Sequence, residues 1–445
     1  MKKPLCLLLA AFMMFALFAA CSTLSSPSPT AATPAPTVPA AATPSPAATP
    51  APTPASAAPS GKITVTTNMT GDVNTAVEDV VAAFTKETGI QVDYSAPAND
   101  YESLMKAKMA TGDMPDVFST HGWAVARYGD FLLPLNDQAW AGNVDPFIKP
   151  MITDKNGNLL VLPEDMDIAG IVYNKTVLNA SGVDAASIKT WADFEAACGK
   201  IKAAGYTPVF MGAKDTWTIG QFFDWVAPSF FITNEASNDR AALLDGSFDW
   251  NKWGDLLTMF KRFQDEGYYN KDVLTADYAA CGTELGNDHV GFEFFGNYII
   301  ADAVSANPNV QLGLIPVPAN DPSDTPTLIA GEHLAVGVWK DSPNKDAALA
   351  FINYLARPDV MTKLASVSGM PAGITGVPSD TGMIAGDLQT YSSTRTFPYF
   401  DRVYLPSGMW DDLCTTGINV LQGQAVADQI GLLKDSYDTK RSQAQ

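Results

Sequence analysis

Histidine is scarce in this 445-residue chain, with three copies, and cysteine is little commoner, with five. Neither forms a cluster, and the cysteine spacing fits no zinc pattern, so a metal centre is not expected. Basic residues are also few. Against 48 Asp and Glu there are 28 Lys and Arg, a net charge of -20. A body this acidic repels nucleic-acid phosphate and anionic lipid. No GxSxG nucleophile motif appears, and no carboxylate pair stands out as acid and base. A Gly-rich phosphate loop and an Arg cluster are missing too. No apolar run reaches the ~20 residues that a membrane-spanning helix needs.

What is present begins at the N-terminus. Lys2 and Lys3 precede an apolar run from Leu5 to Ala20. Small residues stand just before Cys21, the layout of a secretory signal peptide over residues 1–20. Leu17-Phe18-Ala19-Ala20-Cys21 resembles a bacterial lipobox, with Phe18 where Leu is usual. The resemblance implies cleavage before Cys21 and lipidation of its thiol. Losing Lys2 and Lys3 takes the net charge from -20 to -22. From Ser22 to Ser60 the chain is almost all Pro, Ala, Thr and Ser. Such a segment buries too little to fold, and its prolines favour extended polyproline II at about 3.1 Å per residue. Residues 21–60 are thus expected to be a lipidated tether. The remaining cysteines, Cys198, Cys281 and Cys414, allow one disulfide or none.

The body opens near Gly61 with a β-α-β pattern. Ile63 to Thr66 alternates as a strand. Thr75 and Glu78 are spaced like a capping box, and Val77, Val80, Val81 and Phe84 mark one helical face that Gly89 ends. Further strands are expected at 90–94, 117–118, 208–211, 289–295 and 311–317. Helices are expected at 101–110 and 190–205, around Trp253 to Phe263, after Ser342-Pro343, and over 411–422. Alternation of this kind predicts α/β lobes. Asp116 reads as a structural residue fixing the turn into a strand.

Several segments then resemble the extracellular solute-binding proteins of family 1, the maltodextrin-binding-like group of ABC importers. They are NDYESLMKAKMATGDMPDVF at 99–118, GIVYNK at 170–175, Gly296-Asn297-Tyr298, and SPNKDAALAFINYL at 342–355. The resemblance spans about residues 62–440. It implies a type II two-lobe fold with a hinge and a ligand cleft. Lobe one would comprise 62–170 plus 319–371, and lobe two 171–318 plus 372–440. It also implies a monomer on the outer face of the cytoplasmic membrane, with a sugar ligand, permease partners, no cofactor and no catalysis.

A sugar presents flat C–H faces and a rim of hydroxyls, so its site needs aromatic plates and planar polar groups. Each neutral hydrogen bond adds ~1 kcal/mol, and a micromolar site needs about 8 kcal/mol in all. Trp410, in the polar turn LPSGMW, is the leading plate, at a point where the family resemblance places a stacking residue. Trp217, read as part of the loop GAKDTW, and Tyr298 are further plates. His121 and Trp123 follow the strand at 117–118, at the carboxyl end where α/β proteins bind ligands. Asp167, Asp72 and Glu332 are the candidate hydroxyl acceptors, with Glu164 and Asp165 as neighbours of the first. The competing readings are a secreted carbohydrate-active enzyme, a binder of a non-sugar solute such as a polyamine, and a surface adhesin.

Overall fold

The computed structural model describes residues 61–444. The signal segment 1–20, Cys21 and the tether lie outside the described residues.

Three sheets organise the body. The first has five strands in the order Gln91–Ser95, Lys62–Thr66, Val117–Ser119, Ala335–Val338 and Leu162–Pro163. The second has four, in the order Thr207–Val209, Val290–Glu293, Ile171–Asn174 and Leu312–Ile315. A third sheet has three strands, in the order Thr396–Pro398, Leu328–Glu332 and Met166–Ala169. Two of its strands, Met166–Ala169 and Leu328–Glu332, lead directly from one lobe into the other, so it is the hinge. Its register places Asp167 opposite Gly331.

Each lobe has its own apolar core. The first contains buried residues from 63–166 and 334–374. The second is dense in aromatics: Phe222 and Phe294 lie 4.9 Å apart, as do Phe223 and Phe260. These cores place the lobe boundaries differently from the expected ones. The segment 319–329 packs with the second lobe: the Ala319 N–H donates to the Lys189 carbonyl, and Leu328 and Ile329 are buried in second-lobe clusters. Ala372 and Ile374 belong to the first core, and Ile384 to the second, so the last crossing falls between them.

Local sequence explains the elements. Helix Gly71–Thr88 buries Ala76, Val77, Val80 and Phe84, and Gly89 ends it at φ 78°. Its start differs from expectation. Gly71 takes φ 56° and turns the chain into the helix at that point, with Thr70 as the N-cap. Thr75 and Glu78 are therefore interior and form no capping box: Thr75 donates to the Gly71 carbonyl, and Glu78 accepts from Asn74. Helix Trp191–Ala203 does have a capping box, between Thr190 and Asp193. Ser342 stands before helix Lys345–Leu355 and Asn344 is its N-cap. Asp116 is structural: it accepts from the Thr64 N–H at 2.8 Å and the Ser342 hydroxyl at 2.6 Å, tying three segments of the first lobe together. Cys198, Cys281 and Cys414 are all buried and free.

Candidate functional site

A cavity of about 630 Å³ lies between the lobes. Asn68 to Val73, Glu102, His121 and Trp123 line it from the first lobe. Lys214 to Trp217, Tyr278, Tyr298 and Asp302 line it from the second. The hinge supplies Asp167, Glu332 and Tyr399, with His333, Arg402 and Trp410 close by. All eight residues singled out in the sequence border this one space.

Their settings differ. Trp410 is the second residue of helix Met409–Leu421 and is half-buried. Its edge rests on Gly220, where an added Cβ would meet Trp410 Cζ2 at 3.1 Å. Trp217 is not in a loop but opens helix Trp217–Phe231, beside Tyr278 at 4.9 Å. Tyr298 ends a one-turn 3-10 helix, Gly296–Tyr298, and stacks on His333 with an interplanar angle of 10°. Gly296 is required there, because its φ is 57° and a Cβ would approach Asp167 Oδ1 to 2.9 Å. Asp72 is exposed in the first turn of its helix, where the helix dipole favours a carboxylate.

Trp123 departs from expectation. It is buried, and guanidinium carbons of Arg402 and Arg127 lie 4.1 and 4.2 Å from its ring centroid. Guanidiniums therefore occupy ring surface that a stacking sugar would need, and the indole meets Trp410 edge-on at 5.7 Å.

The two inner carboxyls of the hinge are unusual. Asp167 is pushed up to about 7, chiefly by burial and against the lowering effect of its Tyr399 hydrogen bond. Its Oδ1 is buried with no hydrogen-bond partner among the described residues. Burial also pushes Glu332 up to about 7, although it accepts the Ala124 N–H at 3.3 Å. Desolvation draws His333 down, but the adjacent Asp165 outweighs it and the net shift is upward. His121, at φ 47°, is shifted down by desolvation, which the nearby Glu102 opposes. Glu164 and Asp165 do not line the cavity; Asp165 accepts the Leu334 N–H at 2.7 Å instead.

Sequence reasoning missed Arg402. Its Nη1 donates to Asp224 at 2.6 Å and Asp401 at 2.8 Å, and its Nε to the Gly122 carbonyl at 3.1 Å. Tyr399, Tyr278, Glu102 and His333 were missed as well. One signal was available: Asp224 is the lone charge in the apolar run WTIGQFFDWVAPSFF, and a charge buried in such a helix needs a partner. Among the described residues there is no group of three His, Cys, Asp or Glu side chains that could hold a metal ion.

Two α/β lobes, a short hinge sheet and an interlobe cavity of aromatic and polar groups define a type II solute-binding fold. Residues 66–362 match the family of bacterial extracellular solute-binding proteins, and the chain belongs to that family. It is 34% identical over 360 residues to the melibiose/raffinose/stachyose-binding protein of Bacillus subtilis, covering 79% of this chain and 84% of the relative. A sugar transporter of Bacillus licheniformis, solved in complex with stachyose, has a TM-score of 0.79 at 34% identity, over 84% of this chain and 99% of that one. A Bacillus subtilis binding protein solved in an open conformation has a TM-score of 0.77 at 33% identity, over 86% and 98%.

Proposed function

We propose that this protein captures an oligosaccharide of the melibiose, raffinose and stachyose type outside the cell and delivers it, unaltered, to an ABC importer. The observation that carries this reading is the cavity lining, in which Trp410, Trp217 and Tyr298 offer aromatic surface while Asp167, Glu332 and Asp72 offer hydroxyl acceptors. Its volume of about 630 Å³ falls within the ~300–1,000 Å³ usual for small-ligand sites. The two relatives at 34% identity, one named for these sugars and one solved with stachyose, support the ligand class. Cys21 holds the protein to the membrane by lipid, and the protein acts as a monomer. Multiple acyl chains hold firmly where one binds marginally.

The test is thermal stability and calorimetry with melibiose, raffinose, stachyose, maltotriose and spermidine. A ligand at 100 times its dissociation constant adds about 2.7 kcal/mol of stability. Raffinose or stachyose should stabilise the protein and be recovered chemically intact. Stabilisation by spermidine alone would reassign the ligand, and sugar turned over many times per protein molecule would make it an enzyme. Cys21→Ala should leave the membrane fraction or stay unprocessed.

A further inference from the structure

Arg402 sits where the two lobes meet. Its side chain is 11% exposed, and the two carboxylates it binds come from distant parts of the second lobe. Asp224 is fully buried in helix Trp217–Phe231, and Asp401 precedes Arg402 in helix Phe400–Tyr404. Across the cleft, Arg402 Nε reaches the Gly122 carbonyl of the first lobe. Gly122 has φ 84°, and a Cβ there would stand 2.9 Å from Nε, so the approach needs glycine. Asp401 also accepts from Trp123 Nε1 at 3.4 Å, so one carboxylate holds both the cation and the indole beneath it.

The same guanidinium faces three aromatic rings of the cavity wall. Its carbon lies 4.1 Å from the Trp123 centroid, 4.2 Å from Tyr399 and 5.5 Å from Trp410. Trp123 and Trp410 stand at 85° to one another. Arg127, bound to Glu102, lies over the Trp123 ring as well, at 4.2 Å. A buried ion pair is seldom a gain in stability over apolar packing of the same volume. Geometry is what a planar, multiply bonded guanidinium provides and an ammonium does not.

We propose that Arg402 is a positioning residue for ligand binding: held by Asp224 and Asp401 on one lobe and by Gly122 on the other, it fixes Trp123 and through it the angle of Trp410. The ligand side of this inference rests on the sugar-binding reading above. The orientation side does not, because it concerns the ligand-free protein.

The experiment uses Arg402→Lys and Asp401→Asn in the mature protein, with Trp410→Phe as the reference. Two indoles this close and nearly perpendicular couple in circular dichroism. Subtracting the Trp410→Phe spectrum from that of wild type isolates the part that involves Trp410. Arg402→Lys keeps a cation beside the two carboxylates but not the planar stack. It should lose the isolated component without ligand and bind stachyose and raffinose at least ten-fold more weakly. Asp401→Asn should show the same two changes, less strongly. A purely supporting role would lower the melting temperature of both variants and leave the dichroism component in place, and that result overturns the inference. So does wild-type stachyose affinity in both variants. If Arg402→Lys does not fold, Asp401→Asn decides by the same two readouts. If wild type binds neither sugar, the functional reading fails by itself, and the ligand-free spectra still decide the role of Arg402.

Discussion

Tyr399 donates its hydroxyl hydrogen to Oδ2 of Asp167, and the other oxygen of that carboxyl, Oδ1, is buried without a hydrogen-bond partner among the described residues. Leaving a buried acceptor unsatisfied costs about 1–3 kcal/mol. A sugar hydroxyl donating to Oδ1 would recover that cost on binding. Asp167→Asn should therefore weaken stachyose binding ten-fold or more, equivalent to about 1.4 kcal/mol, while the ligand-free protein melts at or above the wild-type temperature. Calorimetry and melting curves on the one variant check both halves. Unchanged affinity would remove Asp167 from the site.

The Tyr399 contact itself depends on Gly331, which pairs with Asp167 in the hinge sheet. A Cβ at Gly331 would lie 2.2 Å from a Tyr399 ring carbon. Gly331→Ala must displace that ring, and with it the hydroxyl that holds Asp167. Sugar affinity should fall in this variant although no ligand-facing side chain has been changed. A crystal structure with Tyr399 in place, together with wild-type binding, would refute the coupling.

Stability should vary with pH in a defined direction. Asp167 and Glu332 rise from ordinary values of 3.8 and 4.5 to about 7 in the folded protein. The native state then binds more protons than the unfolded chain between about pH 4 and pH 7. Their contribution is fully present below the ordinary carboxyl range and is lost as pH rises through 7. The ligand-free protein should melt at a higher temperature at pH 5 than at pH 8. Asp167→Asn combined with Glu332→Gln should flatten that slope. A slope unaltered by the double substitution would show that other groups produce it.

Much of this site was legible because its elements declare themselves locally. Trp410 follows Ser407 and Gly408 and precedes two aspartates, and it is half-buried on the cavity as that polar setting suggests. The setting of Trp123 was not legible, for a non-local reason. Nothing near it in sequence reveals that Arg402, bound to a carboxylate 178 residues away at Asp224, covers one of its faces. The strand and helix order was readable from periodicity, but the start of helix Gly71–Thr88 depends on a positive φ at Gly71 that no apolar pattern encodes. The segment 319–329 packs elsewhere than expected because its lobe is decided by which core Leu328 and Ile329 enter.

Trp410 and Trp123 should separate affinity from stability. Trp410 is half-buried with polar neighbours, so Trp410→Ala should weaken sugar binding by about 2 kcal/mol, the hot-spot threshold, or roughly 30-fold. Its effect on the ligand-free protein should stay well below the ~3–5 kcal/mol of a deleted core Trp. Trp123→Ala should show the reverse emphasis, because removing a buried indole leaves a void and strips two guanidiniums of the ring they pack on. Denaturant titration gives one quantity and calorimetry the other. If both variants lose stability equally and keep their affinity, neither is a ligand contact.

Closure of the lobes is the remaining expectation, and the hinge explains how a ligand would drive it. Asp167, Glu332 and Tyr399 lie on or beside the three strands of the hinge sheet, so a sugar bound to them touches the pivot as well as the walls. One side of the cleft is already bridged: Lys106 of the first lobe pairs with Asp411 of the second at 3.2 Å, near the Arg402 contact to Gly122. That exposed pair is too weak to lock the lobes together. Movement should therefore change the separation of Asn68 to Asp72 from Trp217, Tyr298 and Asp302, which line the cavity from the two lobes. A ligand favours closure only by binding the closed state better than the open one. Stachyose gains that difference if it spans both walls. On a chain beginning at Gly61, small-angle scattering should show a smaller radius of gyration with saturating stachyose than without it. Maltotriose at the same concentration should leave the curve unchanged unless calorimetry shows that it binds. Identical scattering with and without stachyose, at a concentration calorimetry proves saturating, would mean that the sugar enters without moving the hinge.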